Sequence, residues 1–417
     1  MSYADFISER LSADAGFVAV VSKIKSLKKG DKVLLFPHDD PDGLTAGVIL
    51  ETLMKSRGAD VRTVILPTYE LSAAELDANL KGEKLVVIAD KGTIGYYDDY
   101  TTRAEIMVVD HHPPQSGEIK KAIVFNPSVK QYTQTSTSHM AHMLAAALSS
   151  ADARTDYLAL VGMKADWAIE PATDFVCEYC KPFYAEAALK YPSLTAKVKA
   201  APTMFEVKQR EVTTLLNQIS EFYFVLSGGG FQYYYEPRQN EFAYEVLKAS
   251  TFASWSDFAA FRSSLSEKLI TSAIYEHFRE DWSSLSTLFD YSVEIGTKGN
   301  QKVFFFLGND VRWMPMAGSV KLYDLKTRAG GGEAAFIMTN LEPGGGVHFS
   351  FRSTGGDIHL GKLASSTAEA LIAKYGQRGV ISGGGHPVAA ECKTRSAGVP
   401  LAEALKIFLE TLPEALK

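Results

Sequence analysis

Residues 37–43 read Pro-His-Asp-Asp-Pro-Asp-Gly, which places one imidazole and three carboxylates within five positions. An isolated Asp90 follows the apolar run KLVVIA, Asp110-His111-His112 follows EIMVV, and Asp166 closes a later helical stretch. Four of these carboxylates, Asp40, Asp42, Asp90 and Asp166, would repel one another in a cleft of reduced dielectric. They therefore need protons, basic partners or multivalent cations. Two divalent ions meet that need. Mixed carboxylate and imidazole ligation suits Mn²⁺, with Mg²⁺ or Co²⁺ as substitutes, better than Ca²⁺ with its all-oxygen preference or structural zinc with its thiolates. Two such ions about 3.5–4 Å apart clamp a phosphate and activate water, the two-metal route to hydrolysis.

The elements that must position these residues alternate short β-branched runs with helical stretches, the pattern of a parallel sheet with crossovers. Strands are predicted at Lys32–Phe36, Val61–Leu66, Lys84–Ala89, Glu105–Val109 and Ala122–Phe125, and helices at Leu44–Arg57, Ser138–Leu148 and Arg154–Met163. The clusters thus fall at strand C-termini, the rim where open α/β sheets bind ligands. The fold class is α/β with a doubly wound, mainly parallel N-terminal sheet over residues 1–200. Residues 201–300 are expected to be a mostly helical connector, with helices at Glu206–Glu221 and Phe258–Phe278, a Ser-Gly-Gly-Gly break at 227–230 and an aromatic run at Phe231–Tyr235. Residues 301–417 are expected to form a smaller α+β domain, with strands in VFFFL, EAAFIMT, VHFSFRS and Val388–Cys392. Its helices are predicted near Ala364–Tyr375 and at Leu401–Leu412, and its Gly-rich turns at 330–332, 344–346 and 383–385.

His38-Asp39-Asp40-Pro41-Asp42-Gly43, Asp90, Asp110-His111-His112 and Asp166 resemble, in order and spacing, the four motifs of the DHH phosphoesterase superfamily. Gly383-Gly384-Gly385-His386 resembles the glycine-histidine motif of the DHH-associated C-terminal domain of RecJ-type exonucleases and nanoRNases. The resemblance implies one metal held by His38, Asp40 and Asp90 and a second by Asp42, Asp90, His111 and Asp166, with Asp90 between them. It implies that Asp110 is a carboxylate behind the ligands, because ligating histidines are oriented through their other ring nitrogen. It also implies that His112 touches the scissile phosphate or assists proton transfer. His386 and the backbone N–H groups of Gly383, Gly384 and Gly385 would hold substrate phosphates, since glycine lets backbone donors approach an anion. Arg352 is a further phosphate contact, its guanidinium able to fork onto two oxygens. One departure is Lys91-Gly92 after Asp90, where the family often has a small or apolar residue; a cation there would tune metal charge or contact substrate.

The reading is a Mn²⁺-dependent phosphodiesterase in which two-metal-activated water hydrolyses short single-stranded RNA, DNA or oligonucleotides from an end, its metal site facing the second domain across a cleft. Rival readings are a phosphatase for nucleoside bisphosphates, linear dinucleotides or polyphosphate, and an inactive nucleic-acid-binding scaffold. The net charge of −6 argues against a broad basic coat and for short substrates. The imbalance is uneven. Lys and Arg outnumber Asp and Glu 13 to 10 from residue 301 onward, against 30 to 39 before it. No apolar run approaches the ~20 residues that cross a bilayer, the N-terminus lacks a leader pattern, and three cysteines are too few for a disulfide framework. A cytoplasmic protein without membrane contact is expected, and a homodimer is compatible. One Cys-x-x-Cys pair, Cys177 and Cys180, is a weak zinc signal and reads as two structural thiols. His139 and His142 read as local packing, and Tyr233–Tyr235 as a strand rather than a base-stacking surface.

Overall fold

The runs KVLLFP, LVVIA, EIMVV and IVF are apolar on both faces, as strands must be when helices cover both sides of a parallel sheet. The structure, a computed structural model, describes residues 1–199, 212–227, 239–311, 314–355 and 357–417. The chain divides into two units, Met1–Tyr275 and Glu276–Lys417.

In the first unit, α1 (Tyr3–Ala13) and α2 (Ala15–Ser26) precede β1 (Lys32–Pro37), α3 (Pro41–Ser56), β2 (Asp60–Thr63), α4 (Ala73–Asn79), β3 (Leu85–Ala89), β4 (Glu105–Val109) and β5 (Ile123–Phe125). Then come α5 (Thr137–Ala147) and α6 (Ala153–Ala165). The five strands are all parallel in the order β2-β1-β3-β4-β5. Chain direction across the sheet therefore reverses between β1 and β3, the switch point where such sheets bind ligands. Leu34, Phe36, Val86, Ile88, Ile106 and Val108 pack one face on Leu71, Leu76, Tyr97 and Tyr100. The other face carries α2, α3 and α5. The sheet is doubly wound, with every predicted strand present within a few residues.

The remainder of this unit holds the hairpin β6 (Ile169–Glu170) and β7 (Phe175–Val176), α7 (Lys181–Lys190), α8 (Pro192–Thr195), and the pair β8 (Lys197–Lys199) and β9 (Val212–Thr214). It also holds α9 (Leu215–Ser227), α10 (Gln239–Ala249), α11 (Phe258–Ser264) and the start of α12 (Lys268–Leu288). α9 packs on α6, and α10 on α3. The helix expected at Glu206–Glu221 begins only at Leu215, residues 212–214 being strand; residues 206–211 and the Phe231–Tyr235 run lie outside the described residues. The helix expected at Phe258–Phe278 is two. Ser264 turns its hydroxyl onto Phe261 O at 2.7 Å and accepts Trp255 Nε1 at 3.0 Å, competing with the helical ladder where it stops.

The second unit is a six-stranded mixed sheet in the order β10-β11-β12-β13-β15-β14. Its elements are β10 (Val293–Lys298), β11 (Gln301–Asn309), α13 (Met314–Arg328), β12 (Glu333–Leu341), β13 (Val347–Ser353), α14 (Leu360–Tyr375), β14 (Ser382–Gly385), β15 (Ala389–Lys393) and α15 (Leu401–Leu416). Phe349, Phe351, Leu363, Leu371 and Phe408 form its core with α14 and α15. The turn expected at Gly383–Gly385 is instead edge strand β14, paired antiparallel with β15. Its glycines serve close packing: a Cβ on Gly383 would lie 2.6 Å from Ala364 O in α14. Among the described residues, no helix is long and apolar enough to cross a membrane.

Candidate metal centre

Strand register sets the site. Pro37 pairs with Ala89, Ala89 with Val109, and Val109 with Phe125. The next residues, His38, Asp90, Asp110 and Asn126, therefore leave four adjacent strands at one level. Neighbouring strands lie roughly 4.8 Å apart, so side chains at that level fall within reach of shared ions. Backbone bonds hold the row: His38 N–H donates to Ala89 O (2.9 Å), Asp90 N–H to Val109 O (3.0 Å), and Asp110 N–H to Phe125 O (3.2 Å).

Each residue of the first motif has a local task. Asp40 caps α3, its Oδ1 accepting Gly43 N–H at 2.9 Å, and Pro41 starts the helix without a wasted donor. Asp42 occupies the first helical turn, and Gly43 leaves room for His38, because a Cβ there would lie 2.5 Å from His38 Cβ. Asp90 adopts the left-handed conformation (φ 62°), which aspartate tolerates better than most residues.

Two donor groups result. His38 Nδ1 lies 3.2 Å from Asp40 Oδ2 and 3.7 Å from Asp90 Oδ2. His111 Nε2 lies 3.3 Å from Asp90 Oδ1, 3.4 Å from Asp166 Oδ2 and 3.9 Å from Asp42 Oδ2. Within each of the sets His38–Asp40–Asp90 and Asp42–His111–Asp166, one donor atom per residue lies within 4.8 Å of the others. Adjacent donors around an octahedral ion with bonds near 2.1 Å stand about 3 Å apart, so small adjustments would close either set on a cation.

Electrostatics supports that fit. Burial, reinforced by the nearby Asp90 charge, pushes Asp42 up to about 7. Burial holds Asp166 well above the carboxylate range, although His111 opposes it. His38 and His111 are raised against their own burial by the surrounding carboxylates, Asp40 foremost for His38 and Asp166 for His111. Asp90 lies well below the usual range, because hydrogen bonds from His111 and His38 outweigh its burial. Protons shared this way mark an excess of negative charge that divalent cations would neutralise. The donors are imidazole and carboxylate without thiolate, which suits a first-row divalent ion.

Behind the donors lies a layer with less sequence signal. Asp110, fully buried, accepts Thr93 Oγ1 at 2.7 Å and Asn126 Nδ2 at 3.3 Å. Its Oδ1 holds His112 Nδ1 at 2.8 Å, so the histidine that Asp110 orients is His112 rather than the donor His111. Asp39 Oδ1 faces His38 Nε2 at 3.4 Å, and Asn240 donates to Asp39 Oδ2 at 2.8 Å. At the N-terminus of α5, Thr137 N–H and Ser138 N–H donate to the two oxygens of Asp42 (2.7 and 2.9 Å), and Thr137 Oγ1 donates to Asp90 Oδ1 at 2.8 Å. A helix N-terminus favours anions, so α5 pre-orients Asp42. The Thr-Ser-Thr-Ser run at 135–138 was the available signal, and Asn126 could have been found as the residue following β5. Asn240 and Tyr69, whose ring meets those of His38 and His112 edge-on (5.8 and 5.2 Å), had none.

Other expectations resolve differently. Lys91 is buried and donates to the carbonyls of Thr68 and Leu66. Its ammonium holds the chain before Tyr69 and is not presented to substrate. His142 is buried in a chain of bonds from Tyr3 Oη (2.8 Å) to Asp156 Oδ1 (2.8 Å), and His139 packs on Phe183. In the second unit, Arg352 Nε donates to Ser319 Oγ at 3.2 Å, Nη1 to Ala390 O at 3.2 Å, and Nη2 lies 3.6 Å from Glu391. Burial lowers its pKa against the pull of Glu391. Gly383–Gly385 run along β14, and His386 N–H donates to Ala389 O at 2.7 Å.

Residues 32–163 match the family model described as DHH family, N-terminal domain. Comparison with curated proteins finds no match. Solved structures with a similar fold include RecJ in complex with Mn²⁺ from Thermus thermophilus, with 16% identity and a TM-score of 0.58 over 96% of this chain and 55% of that one. A second is exonuclease RecJ bound to manganese (15%, 0.57, 96% and 94%), and a third is the DHH domain of a member of a family of ribosomal proteins (16%, 0.57, 98% and 91%). The chain thus spans little more than half the length of the Thermus protein. Residues 32–163, which carry the first three motifs in order, thus match the DHH family's N-terminal domain, and nearly the whole chain shares its fold with these structures.

Proposed function

We propose that the chain is a Mn²⁺-dependent phosphodiesterase that hydrolyses short single-stranded nucleic acids or oligonucleotides from an end. The observation that carries this reading is the pair of donor groups, His38–Asp40–Asp90 and Asp42–His111–Asp166, that meet at Asp90. In it, His38, Asp40 and Asp90 hold one divalent ion, and Asp42, Asp90, His111 and Asp166 hold the other. Bound there, two such ions activate water and stabilise charge on the phosphoryl oxygens.

The chain's own residues do the rest. Asp90 ties the two groups, with Thr137 fixing one of its oxygens. Asp110 fixes His112 through Nδ1, which leaves Nε2 as the ring atom to contact the scissile phosphate or pass a proton to the leaving oxygen. In the second unit, His386, Arg352 and the Gly383–Gly385 backbone are assigned to substrate phosphates. Two neighbours described as RecJ hold manganese and a third holds magnesium, and one of them is described as an exonuclease, which supports a divalent ion and a nuclease reading.

The test is a Mn²⁺ activity panel comparing 5′- and 3′-labelled RNA and DNA oligomers with nucleoside bisphosphate, linear dinucleotide and polyphosphate, alongside Asp90→Ala. Turnover of oligomers, abolished by the substitution, is the expected result. Turnover of only the small molecules would overturn the nuclease assignment, and an unaffected variant would overturn the metal assignment.

A further inference from the structure

Cys177 and Cys180 take no part in the proposed hydrolysis, yet both are free, buried thiols. Cys177 opens a single 3₁₀ turn, Glu178–Cys180, in which Cys180 N–H donates to Cys177 O at 3.1 Å. Such a turn nearly eclipses residues three apart, which brings the two side chains to one side of it. Cys180 Sγ also lies 3.4 Å from Thr135 Oγ1 and 3.4 Å from His139 Nδ1, and those two atoms are 3.1 Å apart. Two and three residues beyond Thr135, Thr137 and Ser138 make the bonds to Asp42 and Asp90. A short path of contacts therefore runs from the thiol pair to two of the metal-centre carboxylates.

The pair is chemically unequal. Cys177 is drawn below the ordinary thiol range by the Cys180 thiol and, against its burial, by the Cys180 and Tyr179 N–H groups. Burial pushes Cys180 up. Cys177 keeps 5% exposure where Cys180 has none, so Cys177 is the sulfur placed to attack and Cys180 the one to resolve. A zinc role has less support: among the described residues, no group of three His, Cys, Asp or Glu side chains that could hold a metal includes either cysteine.

We propose that Cys177 and Cys180 form a reversible dithiol–disulfide site whose redox state sets how tightly the neighbouring carboxylates bind divalent metal. The oxidant is a low-molecular-weight disulfide. The Cys177 thiolate attacks one of its sulfurs, forming a mixed disulfide and expelling one thiolate. Cys180 then attacks Cys177 Sγ, giving up its proton and expelling the second. Two electrons pass from the protein pair to the small disulfide, which leaves as two thiols. Drawing the sulfurs to about 2.05 Å pulls Cys180 away from Thr135 and His139 and removes its S–H, which shifts the start of α5 and the donors it offers Asp42 and Asp90. The metal half of this proposal rests on the function proposed above; the disulfide half does not.

The experiment equilibrates the full chain with glutathione buffers from reducing to oxidising. Trapped thiols are then counted after denaturation, Mn²⁺ is titrated by calorimetry, and amide exchange is followed at Thr137 and Ser138. On oxidation the three thiols should fall to Cys392 alone, with a mass loss of two hydrogens. The Mn²⁺ Kd should rise at least about fivefold and return on reduction. Cys180→Ser should stop at a glutathione adduct on Cys177, and Cys177→Ser should leave Cys180 unmodified. Three thiols surviving in fully oxidised glutathione would refute the site. A disulfide that leaves both Mn²⁺ affinity and amide exchange unchanged would refute the coupling. If neither redox form binds Mn²⁺, the metal reading fails, and exchange at Thr137 and Ser138 alone decides whether the thiols act on α5.

Discussion

Thr137→Val removes one hydroxyl from behind the candidate metal centre and little else. Thr137 and Asp90 are both excluded from water (0% and 1% exposed), and Thr137 Oγ1 donates to Asp90 Oδ1 at 2.8 Å. Valine keeps the volume and the β-branching, and the Thr137 N–H that holds Asp42 is backbone and survives. A hydrogen bond to a charged group contributes about 1.5–3 kcal/mol, roughly a tenfold to hundredfold change in an equilibrium constant. Loss of groups that orient metal ligands weakens metal affinity or activity by about 10–100-fold, the same range reached independently. Calorimetric titration should therefore show Mn²⁺ binding weakened by at least about tenfold in Thr137→Val. Thr137→Ser, which keeps the donor, should restore it, and both variants should melt as folded proteins. If Thr137→Val binds Mn²⁺ within about twofold of the parent, the bond does not orient Asp90 for metal and the reasoning fails.

Stripped of metal, the protein should lose stability as pH rises from about 5 to 8. Asp42 at about 7, and Asp166, His38 and His111, also raised, all bind protons more tightly folded than unfolded; the stability this lends at low pH drains away as each deprotonates. Added Mn²⁺ should flatten that slope, and a metal-free melting temperature that rises across the window would contradict the charge accounting. Asp156→Ala should cost about 1–3 kcal/mol in denaturant unfolding, because it takes the acceptor from buried His142 and from Tyr191 and frees Lys190. Against the burial that would raise it, bonds from those three residues hold Asp156 down to about 2, so a loss below about 1 kcal/mol would mean that they contribute little. Gly43→Ala places a methyl 2.5 Å from His38 Cβ and 2.6 Å from its carbonyl oxygen. Overpacking there should cost about 1–3 kcal/mol and weaken Mn²⁺ binding, and a variant with parental melting and affinity would show that His38 can move away at no cost.

Much of the first unit was legible because its signals are local. A parallel strand buried on both faces must be an unbroken apolar run, and the polar residue that ends it must lie at the sheet rim, so His38, Asp90 and Asp110 could be assigned to one edge without coordinates. Asp40, Pro41 and Gly43 carry capping and close-packing roles that depend on neighbours three to five residues away. Legibility fell where contacts replaced pattern. The Gly383–Gly385 segment has turn composition but pairs as a strand, and a side chain at Gly383 would run into α14 and one at Gly385 into β15. Lys91 looked available to substrate until the carbonyls of Leu66 and Thr68 were found around its ammonium.

The amino-acid sequence by itself determined which residue types could bind metal and that the strands would bring them to one rim, since alternation, capping and strand ends are short-range properties. Only the tertiary structure decided how those side chains are held. Asn240 on Asp39, α5 on Asp42 and Asp90, and the Cys177–Cys180 turn beside Thr135 and His139 join residues that are remote in the chain. The physical reason is range: a cap or a strand end acts over a few residues, whereas orienting a buried carboxylate takes a donor from whichever helix the packing brings alongside it.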